Sequence, residues 1–213
     1  IGINLMPDQV GPGATPSVSP SPTPTPINLS SVSGPLDAGT YSAVPTGAAL
    51  ADAATFTLPD GWSRAVGPWI SKGKVSISFW TVLTTYGDPC NWMSTTLDLG
   101  PTVDDLVSAL GQQKDRNATA PVPTTLGGFD GQLIEVDWPA DVDESTCDQG
   151  EYRLLIAPGP NDPSRWGTIG AHSVLRIADV NGTRVLVELT VDPGGAEADV
   201  VEAQQIIDSV RFD

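Results

Sequence analysis

Alternation of apolar and polar residues dominates the chain after its first forty positions. Over residues 74–82, Val75, Ile77 and Phe79 alternate with Lys74, Ser76 and Ser78, the two-residue period of a half-buried strand. Residues 132–138 repeat the pattern, setting Ile134, Val136 and Trp138 against Glu135 and Asp137. Two further strands, 173–178 and 183–191, are joined through Asn181-Gly182, which tolerates the positive φ of a tight hairpin turn. Val185, Val187, Leu189 and Val191 then form one buried row. Residues 152–157 are more uniformly apolar, as a central strand would be. Nearer the start, Thr55-Phe56-Thr57-Leu58 and Trp62-Ser63-Arg64-Ala65-Val66 flank the turn tripeptide Pro59-Asp60-Gly61.

Two segments carry the helical period instead. Val103, Leu106, Val107 and Leu110 make an apolar stripe. Thr102 stands ready to cap it, and Asp105 three residues on completes a capping box with Asp in place of Glu. After Gly194 and Gly195, residues 196–210 place Val200, Ala203, Ile206, Ile207 and Val210 on one side. Strands, helix, strands, hairpin and helix in that order predict an α+β domain, an antiparallel β-sheet packed by about two helices.

Composition changes the picture at the N-terminus. Nine of the 20 prolines fall between Pro7 and Pro45, and Ser19-Pro20-Ser21-Pro22-Thr23-Pro24-Thr25-Pro26 is strictly alternating. Proline at every second position fixes φ and removes donors, favouring extended polyproline II, a spacer of about 3 Å per residue. Residues 1–40 are therefore expected to be a disordered Pro/Ser/Thr-rich tether, and residues 41–213 a single extracytoplasmic domain. The opening Ile1-Gly2-Ile3-Asn4-Leu5-Met6 reads as the outer end of a transmembrane helix; a terminus left by signal-peptide cleavage is the alternative.

Charge narrows the partners. The net charge is −16, and all ten basic and all but two of the 26 acidic residues follow residue 50. Such a field repels phosphate backbones and anionic headgroups, so nucleic acid is excluded and membrane contact is expected only through an N-terminal anchor. It serves solubility equally well. Cys90 and Cys147 are the whole thiol complement, and an isolated pair in a chain of secreted character predicts a disulfide, with two reduced thiols as the rival. The bridge would contribute about 4 kcal/mol by loop-closure entropy.

Candidate chemistry is sparse. His172 is the one histidine, so a serine hydrolase would pair it with Ser173, Ser145 or Ser164, and no Gly-x-Ser-x-Gly elbow is present. Gly127-Gly128 is a turn without the strand and helix of a phosphate loop. No cofactor is expected apart from calcium. Asp141, Asp143 and Ser145 place oxygens at alternate positions, like the start of a calcium loop, although glycine at the sixth and glutamate at the twelfth position are missing. A cell-wall hydrolase would need two of Asp137, Asp141, Asp143 and Glu151 in one cleft. Six tryptophans are the other asset; Trp62, Trp69, Trp92 and Trp166 lie near Gly or Pro, and Trp92 and Trp166 are expected to be exposed for ligand binding.

The motif Phe56-Thr57-Leu58-Pro59-Asp60-Gly61-Trp62 resembles the opening hairpin of PsbP-like proteins, and Gln204-Gln205-Ile206-Ile207-Asp208-Ser209-Val210-Arg211-Phe212, following a strand–Asn-Gly–strand unit, resembles their closing unit. Asp88-Pro89-Cys90-Asn91-Trp92, Gly100-Pro101-Thr102-Val103-Asp104-Asp105-Leu106 and Ser145-Thr146-Cys147-Asp148 resemble a family of uncharacterised, membrane-tethered extracytoplasmic domains of actinobacteria and related bacteria. The resemblance implies a PsbP-like fold over about residues 50–213 and location at the cell surface, and it imports no activity. The function expected is a non-enzymatic binding or sensor module for a cell-envelope small molecule, glycan or protein. A carboxylate hydrolase and a structural interaction domain are the alternatives.

Overall fold

The computed structural model describes residues 25–48, 53–64, 66–159 and 163–212. In chain order the first strands are β1 Ile27–Asn28, β2 Gly34–Pro35, β3 Gly39–Ala43, β4 Ala54–Leu58, β5 Ser63–Arg64 and β6 Trp69–Lys72. Next come β7 Val75–Thr81, β8 Thr84–Tyr86, β9 Thr96–Leu97, helix α1 Val103–Gly111, β10 Asn117–Ala118, β11 Val122–Leu126 and β12 Phe129–Asp137. The chain continues through β13 Arg153–Ile156, β14 Ser164–Trp166, β15 His172–Val180, β16 Thr183–Val191, helix α2 Glu197–Asp208 and β17 Arg211–Phe212.

A nine-stranded sheet forms the middle, in the order β10-β12-β15-β16-β7-β6-β5-β2, with β11 also paired to β12. Two four-stranded sheets flank it, β1-β3-β4-β17 and β14-β13-β8-β9. Among the described strands β1 and β3 pair in parallel and the other strand pairs are antiparallel, while Thr46 makes an isolated parallel bridge to Trp80 of β7. The architecture is α+β, antiparallel sheets with two helices, as the periodicity predicted.

Each helix closes a different face of the large sheet. Ala203, Ile206 and Ile207 of α2 pack with Ile77, Phe79, Val185, Val187 and Leu189, together with Tyr41, Phe56 and Leu58 from the first small sheet. Leu106, Val107 and Leu110 of α1 pack with Ile134, Val136, Leu175, Ile177 and Leu186, and with Leu154 and Leu155 from the second small sheet. Full burial of one such side chain contributes about 2 kcal/mol. The expected hairpin stands, with Asn181 and Gly182 at φ 53° and 90°. Helix α1 carries the expected capping box, reciprocal between Thr102 and Asp105.

Three expectations change. Strand β7 is buried on both faces, not half-buried: Ser78 is 3% and Trp80 7% exposed, because the second small sheet covers the face that its serines suggested was wet. Strands β4 and β5 do not pair with each other; β4 pairs with β3 and β17, and β5 with β6 and β2. Pro59-Asp60-Gly61 carries the chain between two sheets, and Trp62, fully buried, anchors the far side through its Nε1 on Glu202. The described chain also joins the fold ahead of residue 41: β1, β2 and the start of β3 lie within residues 27–40, held by buried Leu29 and Leu36. Neighbouring prolines mask these two leucines in any compositional window. The repeat 19–24 lies outside the described residues.

Candidate functional site

A groove of about 610 Å³ opens where β6 and β7 of the large sheet face β13 and β14. That volume suits a small-molecule ligand. Its walls are Trp69 of β6, Ser78 and Trp80 of β7, Arg153 of β13, Arg165 and Trp166 of β14, with Pro68, Pro163, Gly167 and Thr168 from the adjoining turns. Pairing sets the spacing: Trp69 is opposite Ser78, and Arg153 is opposite Trp166. Thr46 closes one end, its N–H donating to the Phe79 carbonyl and its own carbonyl accepting from Thr81. Trp166 is 54% exposed, an indole offered to solvent beside others that are largely covered. Gly167 has to be glycine, since a Cβ there would lie 1.0 Å from the Trp138 ring.

Behind the groove runs a buried polar seam. The Arg165 guanidinium donates from Nε to Glu188 Oε2 at 2.7 Å and from Nη2 to Glu188 Oε1 at 3.3 Å and Thr190 Oγ1 at 3.1 Å. Ser173 Oγ donates to Glu188 Oε1 at 3.0 Å and itself accepts from Trp138 Nε1 at 3.0 Å. Burial alone would raise the Glu188 carboxyl, but the charge and hydrogen bonds of Arg165, with Ser173, hold it below the usual range. A second guanidinium, Arg116, is 7% exposed and bonds Gln113 Oε1 at 2.6 Å, while its Nε and Nη2 find no partner among the described residues. Burial pulls its pKa down to about 10. Trp138 is wedged between the two, 4.8 Å from Arg116 and 5.4 Å from Arg165.

Of the residues singled out from the sequence, the groove gathers Trp69, Ser164 and Trp166; Trp62, Trp92, His172 and the acidic candidates lie outside it. Trp92 corrects the expectation: it is 9% exposed, not open to solvent. The disulfide Cys90–Cys147 is formed, and it draws residue 148 over the ring, so that Trp92 Nε1 donates to the Asp148 carbonyl at 3.0 Å. The Arg153 guanidinium covers the ring at 3.7 Å. A disulfide joining two loops is what compartments outside the cytosol sustain.

Asp143 and Ser145 are bonded to each other, the carboxylate accepting from Ser145 N at 3.0 Å and Oγ at 2.6 Å, as the cap of a 3₁₀ turn. Asp141 lies apart, on a cleft with Asp137 and Arg116. No group of three or more His, Cys, Asp or Glu side chains among the described residues is placed to hold a metal ion. Glu151 is committed to Arg153 at 2.6 Å. Asp137 and Asp141 do share a cleft, but both are exposed, which denies either of them the enclosed setting a general acid needs. His172 bonds Asp137 through Nδ1 at 2.9 Å on the exposed side of β15, whereas Ser173 faces the buried seam, so the two cannot act as a nucleophile and its base. Sequence reasoning missed Trp80, Arg165 and Glu188. Glu188 was the detectable one, a lone charge inside the apolar run 185–189; Arg165 gave no sign.

No family model and no curated protein matches the chain. Similar solved structures include the PsbP of the cyanobacterium Synechocystis sp. PCC 6803, 14% identical with TM-score 0.39 over 83% of this chain and 93% of that one. Another is LpqN of Mycobacterium tuberculosis, involved in cell envelope biogenesis, 12% identical with TM-score 0.38 over 88% of each chain. A Bacteroides thetaiotaomicron protein is 12% identical with TM-score 0.36 over 75% of this chain, which spans 45% of that protein's length. Likenesses at this level assign neither ligand nor activity. Among the described residues no helix is long and apolar enough to cross a membrane.

Proposed function

We propose that this protein is a non-enzymatic extracytoplasmic binding domain that takes a small ligand into the groove between β6–β7 and β13–β14. The observation that carries the reading is an indole left 54% exposed on an apolar cleft whose other aromatic walls are tied down, Trp80 by its Nε1 bond to Ser78 and Trp69 by the Arg165 guanidinium over its ring. An apolar ligand surface covering Trp166 gains burial that the free protein lacks, and a rigid wall loses little entropy on binding. The disulfide supports a place outside the cytosol, and the Pro/Ser/Thr run ahead of the domain supports a spacer from a membrane anchor.

The test is thermal unfolding of the chain and of Trp166→Ala against fatty acids, aromatic acids, disaccharides and muropeptides. A true ligand at a hundredfold excess over its Kd stabilises the native state by about 2.7 kcal/mol. The shift is expected for the native chain and at least tenfold weaker binding for the variant. A ligand that binds both alike, or no ligand in the panel, removes the reading.

A further inference from the structure

The charges around this groove run against those of the rest of the molecule. In a chain of net charge −16, the described residues lining it include two arginines, Arg153 and Arg165, and no Asp or Glu. Four other clefts each present at least one carboxylate: Asp104 in one, Asp137 and Asp141 in another, Asp105 and Glu202 in the remaining two. Each lining guanidinium has a carboxylate behind it, and each uses the same two nitrogens for that partner. Arg165 spends Nε and Nη2 on Glu188 and Thr190, and Arg153 spends Nε and Nη2 on Glu151. A guanidinium has five N–H donors in a fixed fork, so Nη1 of both remains uncommitted among the described residues. Deeper in, the seam holds Arg116 and Arg165 against the single buried carboxylate Glu188, one positive charge in excess in a low-dielectric setting.

Resting on the binding role above, we infer that the natural ligand is an amphiphilic anion: an acyl chain that lies on Trp166 and Trp69, with one carboxylate head directed to the free edges of Arg153 and Arg165. Arginine forks match a carboxylate in geometry as well as in charge. A hydroxyl-rich ligand such as a glycan is the poorer match, because it needs acceptors as well as donors, and the charged groups here only donate.

Dodecanoate, dodecyl maltoside and dodecyltrimethylammonium, below their micelle concentrations, separate the head from the tail when titrated against the intrinsic tryptophan fluorescence of the unaltered chain. Dodecanoate is expected to bind at least tenfold more tightly than either of the others, and more weakly as salt rises. Arg153→Gln should cost dodecanoate that advantage and leave the maltoside unchanged, while Trp166→Ala weakens all three. Equal affinity for dodecanoate and the maltoside, both lost in Trp166→Ala, overturns the anionic head and keeps the groove. Affinities that ignore Trp166→Ala overturn the groove itself. Tightest binding of the cation shows the acidic surface in control and overturns the inference, as does no binding of dodecanoate at all. The comparison of heads on the unaltered chain stands even if Arg153→Gln fails to fold.

Discussion

Beneath α2, the large sheet is closed by Phe56, Ile77, Phe79 and Val187, none more than 1% exposed, with Phe56 stacked on Phe79 at 5.3 Å between centroids. Beneath α1 and the second small sheet, the same strands enclose Arg116, Arg165 and Glu188, the three buried charges of the described residues. One sheet therefore carries a wholly apolar core on one face and, on the other, an apolar core crossed by a charged seam, and alternation decides which residue goes where: Val187 and Leu189 point one way, Glu188 the other. Apolar burial under both helices stabilises the fold. The polar side costs desolvation that packing alone would not require, and the candidate groove lies on that side. A buried ion pair is weak grounds for stability. Its use here is to hold Arg165, and with it the groove wall, in one orientation.

The largest test breaks that pair. Glu188→Ala leaves Arg165 beside Arg116 with no carboxylate between them, and removal of one partner of a buried pair costs about 3–5 kcal/mol. The joint replacement Arg165→Met with Glu188→Leu removes both charges and should recover most of that loss, to within about 1 kcal/mol of the native chain. Urea unfolding of the two variants measures the difference. Equal destabilisation by both would mean that shape, not charge, is what the seam supplies. On the apolar face no such rescue exists: Phe79→Ala costs about 3–5 kcal/mol whatever accompanies it.

These two faces were unequally legible in the sequence. The apolar one could be read directly, because Val75, Ile77 and Phe79 and the row 185–191 announce themselves by period, and so do the α2 positions Ala203, Ile206 and Ile207. The polar face was hidden by its own chemistry. Ser76 and Ser78 look solvent-facing, yet Ser78 is buried because β13 and β14 cover it, and both covering strands come from residues far away in sequence. Trp166 was legible as an exposed ring because prolines and glycines surround it. Trp92 shares that local signature and is buried, since the bridge to Cys147 brings in a distant loop as its lid. Local sequence carries turn chemistry; the lid is a long-range contact that no local window contains.

The disulfide offers a smaller test on the same side. Cys90→Ser with Cys147→Ser opens a loop of 57 residues, and chain entropy alone places the cost at about 4 kcal/mol, with 2–5 kcal/mol typical of native bridges. Because Trp92 and Arg153 depend on this loop, the polar face should loosen first. Hydrogen exchange is expected to quicken in β13 and the 88–95 loop while α2 and β16 keep their protection. Uniform loss of protection across both faces would show that the two cores unfold as one unit.

The helices that close the two faces supply the smallest and cleanest contrast, because they differ at a single kind of position. On the polar face, α1 begins with a reciprocal box: Thr102 Oγ1 accepts from Asp105 N at 3.1 Å, and Asp105 Oδ2 accepts from Thr102 N at 2.9 Å. The helix on the apolar face, α2, is capped by Ala196, which has the extended backbone of a cap, φ −76° and ψ 133°, and no polar side chain to make the bond. Its third position is Asp199, so Ala196→Ser would recreate the spacing that α1 already has. Thr102→Ala should cost about 1 kcal/mol and Ala196→Ser should gain a similar or smaller amount, both read as shifts of the unfolding midpoint at constant slope. Position 196 is exposed, so the added hydroxyl meets no packing penalty. A gain from Ala196→Ser with no loss from Thr102→Ala would mean that α1 is held by its burial against β12 and β15 and not by its cap, making the polar face the less dependent of the two on local helix signals.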